Sequence, residues 1–214
     1  MKANRPEDQA DFAEKAYQNA MNSPQGKYLN VQDAKINYSE VMLMNHPFTT
    51  GITSAVSVYP VLGGAALNPC IALALYNPKT KALLIHHEPL LDGKKLQEFA
   101  ARVRSSTNDM LHVHVIGGVG ANDIEEEFYK KSLISLAAAI ASDKNMRLKT
   151  FDILNKPHPS CFAIDARNGR LIRGSSNIAT GVMDEEEYLL DCDCADNSDF
   201  DGTAPEYLKS KTLF

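Results

Sequence analysis

Two apolar runs flank a tight-turn signal. Cys70-Ile-Ala-Leu-Ala-Leu-Tyr76 precedes Asn77-Pro78-Lys79-Thr80, and Lys81-Ala-Leu-Leu-Ile-His-His87 follows it. Asn and Pro are strong turn formers, so the spacing predicts an antiparallel hairpin centred between Pro78 and Lys79. In that register Cys70 lies directly across from His87. Directly opposed residues put their side chains on one face, with Cβ atoms about 4.5–5.5 Å apart. That separation suits a thiolate–imidazolium pair. Ile71, Leu73 and Leu75 alternate with Ala72, Ala74 and Tyr76, so both faces of the first strand are predicted to be buried.

The flanking pattern sets the class. Residues 6–22 predict a helix: Pro6 suits the first turn, and Phe12, Ala13, Ala16, Tyr17, Ala20 and Met21 form one stripe. Strands are predicted at Val41–Met44 and Ile52–Tyr59, then a loop through Gly63-Gly64-Ala65-Ala66-Leu67-Asn68-Pro69. Asp92 is the expected N-cap of a helix to Arg104, with Leu96, Phe99, Ala100 and Val103 inward. A strand at Leu111–Ile116 ends on Gly117-Gly118. Asn122 or Asp123 caps a long helix through Ala141. Strands follow at Leu148–Leu154, Cys161–Ile164 and Arg170–Arg173, the last two joined by an Arg167-Asn168-Gly169 hairpin signal. Strand-rich ends around an α-β-α centre predict an α+β fold, with mixed or antiparallel sheets packed by helices.

The 214 residues suit one domain or one domain with an extension. A net charge of −5 argues against a nucleic-acid partner and gives no support for membrane binding. No run of 18 apolar residues predicts a membrane span, and the charged, polar start is not a Sec-type signal peptide. Four cysteines (Cys70, Cys161, Cys192, Cys194) are too few and too unevenly spaced for a disulfide framework. A reducing compartment, the cytoplasm, is the expected location.

A thiol nucleophile needs a lowered pKa, which a neighbouring imidazole supplies. Attack on an amide also needs donors for the developing oxyanion. The Gly-rich loop before Cys70 offers backbone N–H groups, and Asn68 offers a side-chain donor. Pro69 has no N–H to offer. The alternative for Cys70 is a small buried core residue, as most free cysteines are. For His87 it is a strand-end histidine bonded to backbone.

The stretch from Cys70 to His87, with Asn77-Pro78 in its turn, resembles the chemoreceptor glutamine deamidases of the CheD type. Leu62-Gly63 before Cys70-Ile-Ala-Leu-Ala-Leu also resembles the protein N-terminal asparagine amidohydrolases. His112-Val-His-Val-Ile-Gly-Gly118, the following helix, Phe151-Asp-Ile-Leu154 and Ala163-Ile-Asp165 continue the likeness over residues 52–175. The resemblance implies a CheD-like deamidase sandwich at 29–181, with a helical extension at 1–28 and an acidic tail at 182–214. It implies a cofactor-free cysteine amidohydrolase acting on Gln or Asn of a protein substrate. Cys70 is then the nucleophile, and His87 the general base and acid. The family places Thr or Ser six residues before the cysteine to orient the histidine. Gly64 stands there, which leaves Ser54, Ser57, Asn68 and His114 as orienting candidates. A catalytically silent binding module of the same fold is the second expectation.

Other groupings carry less. His112 and His114 share a strand face and, with His86 or His87, suggest a metal site. No carboxylate or third histidine falls at a recognised interval, so no metal is expected. Cys192-Asp193-Cys194 lacks a second cluster. Cys161 is expected to be structural, although His158 lies three residues before it. Gly117-Gly118-Val119-Gly120 lacks the phosphate-loop lysine and reads as a tight strand-to-helix turn.

Overall fold

The computed structural model describes residues 6–44, 47–65, 67, 70–118, 123–154 and 161–173. The central hairpin takes its register from Asn77. Its side-chain oxygen accepts from the N–H groups of Lys79 and Thr80 at 3.0 and 3.2 Å. Its Nδ2 donates to the Val103 carbonyl and to Asp109 Oδ2, each at 3.2 Å. Lys81, at a φ of 63°, completes the loop by donating its N–H to the Asn77 carbonyl. Asp109 also accepts from the Ser105 hydroxyl at 2.7 Å and from Lys79 at 3.2 Å. These donors, the Ser105 hydroxyl foremost, hold its carboxyl well below the usual range.

The turn is therefore centred one residue later than the spacing predicts. β4 (Ile71–Tyr76) and β5 (Ala82–Glu88) pair Ile71 with Glu88 and Ala72 with His87. Cys70 immediately precedes β4 and stands one diagonal step from His87, not opposite it. The cause is Lys81, whose left-handed backbone adds a residue to the second half of the loop. The pairing moves by two, and an even shift leaves each side chain on its predicted face.

β2 (Thr49–Ser54), β5, β4, β6 (Leu111–Gly117) and β7 (Met146–Ile153) form a five-stranded sheet in that order. β1 (Val41–Met44), β3 (Val61–Gly64), β8 (Phe162–Asp165) and β9 (Arg170–Arg173) form a four-stranded sheet. The β6–β7 and β1–β3 pairs are parallel and the others antiparallel. The fold is α+β with mixed sheets, as the element order predicts.

Alternation along the central strands separates two cores. Ile71, Leu73, Leu75, Leu84, Val113, Val115, Phe151 and Ile153 face three helices. These are α1 (Pro6–Met21), α3 (Gly93–Val103) and α4 (Asp123–Ser142). Ala72, Ala74, Tyr76, Leu83, Ile85 and Ile116 face the second sheet through Leu62, Phe162 and Ile164. Each Leu, Ile, Val or Phe among them stabilises by about 1.5–3 kcal/mol when fully buried. The outer face of the second sheet is covered by α2 (Val31–Ala34), through Val31, Val41, Val61, Ala163 and Ile172. The segment set apart by sequence as an extension gives Ala16, Tyr17 and Ala20 to the helix-side core. Asp92 caps α3 by accepting from the Lys95 N–H at 2.9 Å.

Two elements depart from the sequence reading. Ile52–Tyr59 is not one strand: β2 ends at Ser54, and Val56 and Val58 are 89% and 69% exposed. Ser57 N–H bonds the Ser54 carbonyl and Tyr59 N–H bonds Ser57 Oγ at 3.2 Å, which closes a turn there. Gly63 and Gly64 belong to β3, not to a loop. A Cβ on Gly63 would stand 2.4 Å from the Phe162 carbonyl oxygen and 2.5 Å from Leu43 Cδ2. Glycine in this strand permits close approach of a neighbouring backbone. No helix among the described residues is long and apolar enough to cross a membrane. The acidic stretch after Gly181, with Cys192 and Cys194, and also His158, lies outside the described residues.

Candidate active site

Pairing across the five-stranded sheet aligns Thr49, His87, Ala72, Ile116 and Asp152 in one row. By strand alternation this row faces the second sheet. Cys70 lies just beyond it on the β4 side. Diagonal neighbours of this kind lie about 7–8 Å apart, within reach of a ring side chain. His87 is fully buried and Cys70 is 5% exposed.

The backbone of Cys70 is clamped by the turn after β6. Gly118 N–H donates to the Cys70 carbonyl at 2.8 Å and to the Leu67 carbonyl at 3.2 Å. Gly117 and Gly118 adopt φ of 109° and 70°. A Cβ on Gly117 would sit 2.5 Å from the Cys70 carbonyl oxygen. Gly117 and Gly118 thus fix where Cys70 enters β4; the rest of the expected strand-to-helix turn, 119–122, lies outside the described residues.

Gly64 also borders this region. A Cβ there would meet Phe162 Cε1 at 3.1 Å and Ala72 Cβ at 3.6 Å. Ala72 is the pairing partner of His87. Position 64 therefore points toward the neighbourhood of His87, with no hydroxyl to offer. Ser54 pairs with Ala82, five residues along β5 from His87. At about 3.4 Å per residue that is roughly 17 Å away. Ser57 lies in the turn beyond it, so neither serine orients His87. Asn68 and Pro69 lie outside the described residues.

His114 faces the same interior but is committed elsewhere, its Nδ1 lying 3.0 Å from Thr150 Oγ1. A β-bulge between Val113 and His114 brings it opposite Thr150. Burial, with His112 and Lys149 adding to it, pushes His114 down to about 3. The His112 ring lies 6.0 Å from that of Tyr76. Among the described residues, no three His, Cys, Asp or Glu side chains gather as a metal site.

Neutral burial of His114 has a consequence for pH. The unfolded chain takes up a proton near the ordinary histidine value of about 6.5, and the folded one does not. Stability is therefore expected to fall as pH drops from about 6.5 towards 3, by on the order of 4 kcal/mol over the whole range. Carboxylates such as Asp109 add to the loss only below about pH 4. Urea unfolding between pH 7 and 5 checks this: His114→Gln is expected to flatten the slope in that window.

The sulfur's electrostatics run against the expected ion pair. Burial, and secondarily the Glu88 charge, push the Cys70 thiol up. Cys161, buried in the outer core, is pushed by burial up to about 12 and is inert. On the helix side, residues not anticipated as a site come together. Thr50 Oγ1 is 2.7 Å from His86 Nδ1, and His86 Nε2 is 3.4 Å from Glu88 Oε2. Lys95 bonds the same carboxylate oxygen. Burial alone would raise Glu88, but its bonds to His86 and Lys95 outweigh burial and leave it lowered. Period-two spacing of His86 and Glu88 was the available signal. Their partners Thr50 and Lys95 are 36 and 7 residues away in sequence.

No protein-family model matches the chain, and none of the curated proteins compared with it is significantly similar in sequence.

Proposed function

We propose that this chain is a cysteine amidohydrolase that deamidates Gln or Asn side chains of a protein substrate. Cys70 is the nucleophile and His87 the general base and acid. The observation that carries the reading is that Cys70 immediately precedes β4, two residues before Ala72, which pairs with His87. The resemblance to the CheD-type deamidases supports the same pair.

Because the resting sulfur is held as a thiol, His87 acts on it during attack and not through a standing ion pair. As sulfur bonds to the carboxamide carbon, His87 accepts its proton. It returns that proton to the departing ammonia, leaving a thioester. His87 then takes a proton from water, which attacks the thioester carbon. Carboxylate leaves, and sulfur recovers its proton. No cofactor enters this sequence. A reactive thiol requires a reducing compartment, and the cytoplasm is the one proposed.

Ammonia release from Gln- and Asn-bearing proteins or peptides tests the reading. Release that depends on Cys70 supports it, and equal release by Cys70→Ala removes Cys70 from the chemistry. Gly64, with no hydroxyl beside Ala72, favours a second reading: a binding module that keeps the fold without the reaction. That module would release no ammonia from any carboxamide yet retain a protein partner.

A further inference from the structure

We propose that Phe48 is a substrate-recognition residue of the candidate active site, and that the substrate is an extended protein segment with an apolar side chain two or three residues from its target carboxamide. The proposal deepens the amidohydrolase reading and rests on it, because it names the substrate class of the same site.

The backbone supplies the first observation. Four described residues other than glycine adopt positive φ: Lys35, Phe48, Lys81 and Leu154. Three of them have a visible structural task. Lys35 ends α2 as its left-handed cap, Lys81 closes the central hairpin, and Leu154 is buried in the helix-side core. Phe48, at a φ of 65°, is 57% exposed. A bulky side chain is an outlier in this region, where asparagine and aspartate are far commoner. Such strain persists only where the surroundings impose it, and it clusters at active sites and ligand clamps. Burial does not offset it here, because more than half of the residue faces water.

Placement ties this residue to the candidate pair. Phe48 N–H donates to the His87 carbonyl at 2.5 Å, and the next residue, Thr49, pairs with His87. Phe48 is therefore level with Glu88, which pairs on its other side with Ile71, the residue after Cys70. Two strand spacings of about 4.8 Å separate Phe48 from that segment, about 10 Å in all. An extended peptide advances about 3.3–3.6 Å per residue. A substrate chain crossing this end of the sheet, with its carboxamide at Cys70, thus brings a residue two or three positions away to Phe48. An exposed aromatic offers a large, rigid apolar surface and loses little side-chain freedom on binding. Its complement is a leucine, isoleucine, methionine or aromatic side chain of the substrate.

Ammonia release from paired Gln- or Asn-bearing peptides tests this. One peptide carries leucine at the second and third positions on either side of the carboxamide, and its twin carries serine there. The native full chain is expected to prefer the leucine peptide about tenfold or more, through a lower KM. Phe48→Asn removes the ring and suits the left-handed backbone. It is expected to abolish the preference while raising Tm by roughly 2–4 °C, and Phe48→Tyr is expected to keep the preference. A native chain with no leucine preference, or a preference that survives Phe48→Asn, overturns the proposal. So does a lowered Tm in Phe48→Asn, since the ring would then serve the fold. Polarisation of fluorescein-labelled copies of the two peptides, on the full Cys70→Ala chain with and without Phe48→Asn, separates two failures. Leucine-selective binding that needs Phe48, without ammonia release by the native chain, sinks only the amidohydrolase reading. Ammonia release with no leucine preference sinks only the role of Phe48, and the absence of both sinks the two together.

Discussion

Cys70→Ala is expected to lower Gln- or Asn-dependent ammonia release by about 10³-fold or more. The argument rests on sequence, packing and chemistry together. Cys70 immediately precedes the strand that pairs with β5, two residues from Ala72, the partner of His87. Its backbone carbonyl is fixed by Gly118, so the sulfur's approach to a carboxamide carbon is set by the fold. Removal of one buried sulfur is a small packing change, expected to cost about 1 kcal/mol. For a chain of 214 residues that is roughly 2–4 °C in Tm. Loss of activity with a nearly unchanged melting curve therefore separates chemistry from stability. His87→Ala is expected to lose about 10²–10⁴-fold, the usual worth of a general base.

Gly117→Ala is expected to be the most damaging small substitution near the site, costing about 3 kcal/mol or more and lowering Tm by roughly 6–12 °C. Two independent penalties add. The backbone at a φ of 109° lies in a region that L side chains rarely adopt. The new Cβ would meet the Cys70 carbonyl oxygen at 2.5 Å and Leu67 Cβ at 2.9 Å. Neither neighbour is the far end of a flexible side chain, so relief requires moving the segment that carries Cys70. Thermal unfolding checks the stability. The same variant is expected to lose activity beyond its unfolded fraction, because the clamp on Cys70 is displaced.

Local signals carried much of the fold. The Asp92 cap and the apolar spacing to Val103 place α3 within a residue. The apolar run Leu111–Ile116 before Gly117-Gly118 marks β6 and its turn. Misreadings arose where geometry outweighed residue type. Val56 and Val58 are β-branched yet solvent-facing, since serine-anchored turn bonds claim that stretch. Gly63 and Gly64 look like loop residues but lie in β3, and at Gly63 the backbone of Phe162 passes too close for a side chain. The hairpin was legible and its register was not, because one left-handed residue, Lys81, moved the centre.

Much the same division applies to the candidate site. Parity predicts one face for Cys70 and His87, and the structure sets Cys70 just ahead of the strand that pairs with β5. Parity gives neither their diagonal offset nor the direction in which burial and Glu88 drive the thiol. Ser57 was attractive by composition and lies at the wrong end of β2. Of the Glu88 network only the period-two spacing of His86 and Glu88 was legible, because Thr50 and Lys95 come from other elements that only the folded sheet and α3 bring together.

Intact-mass measurement of the acid-quenched reaction tests the central claim most directly. Incubated with a Gln- or Asn-bearing peptide that releases ammonia, the native chain is expected to carry one acyl group, the peptide's mass less ammonia, and to carry it on Cys70. Ammonia release with no such adduct, undiminished in Cys70→Ala, would contradict the account.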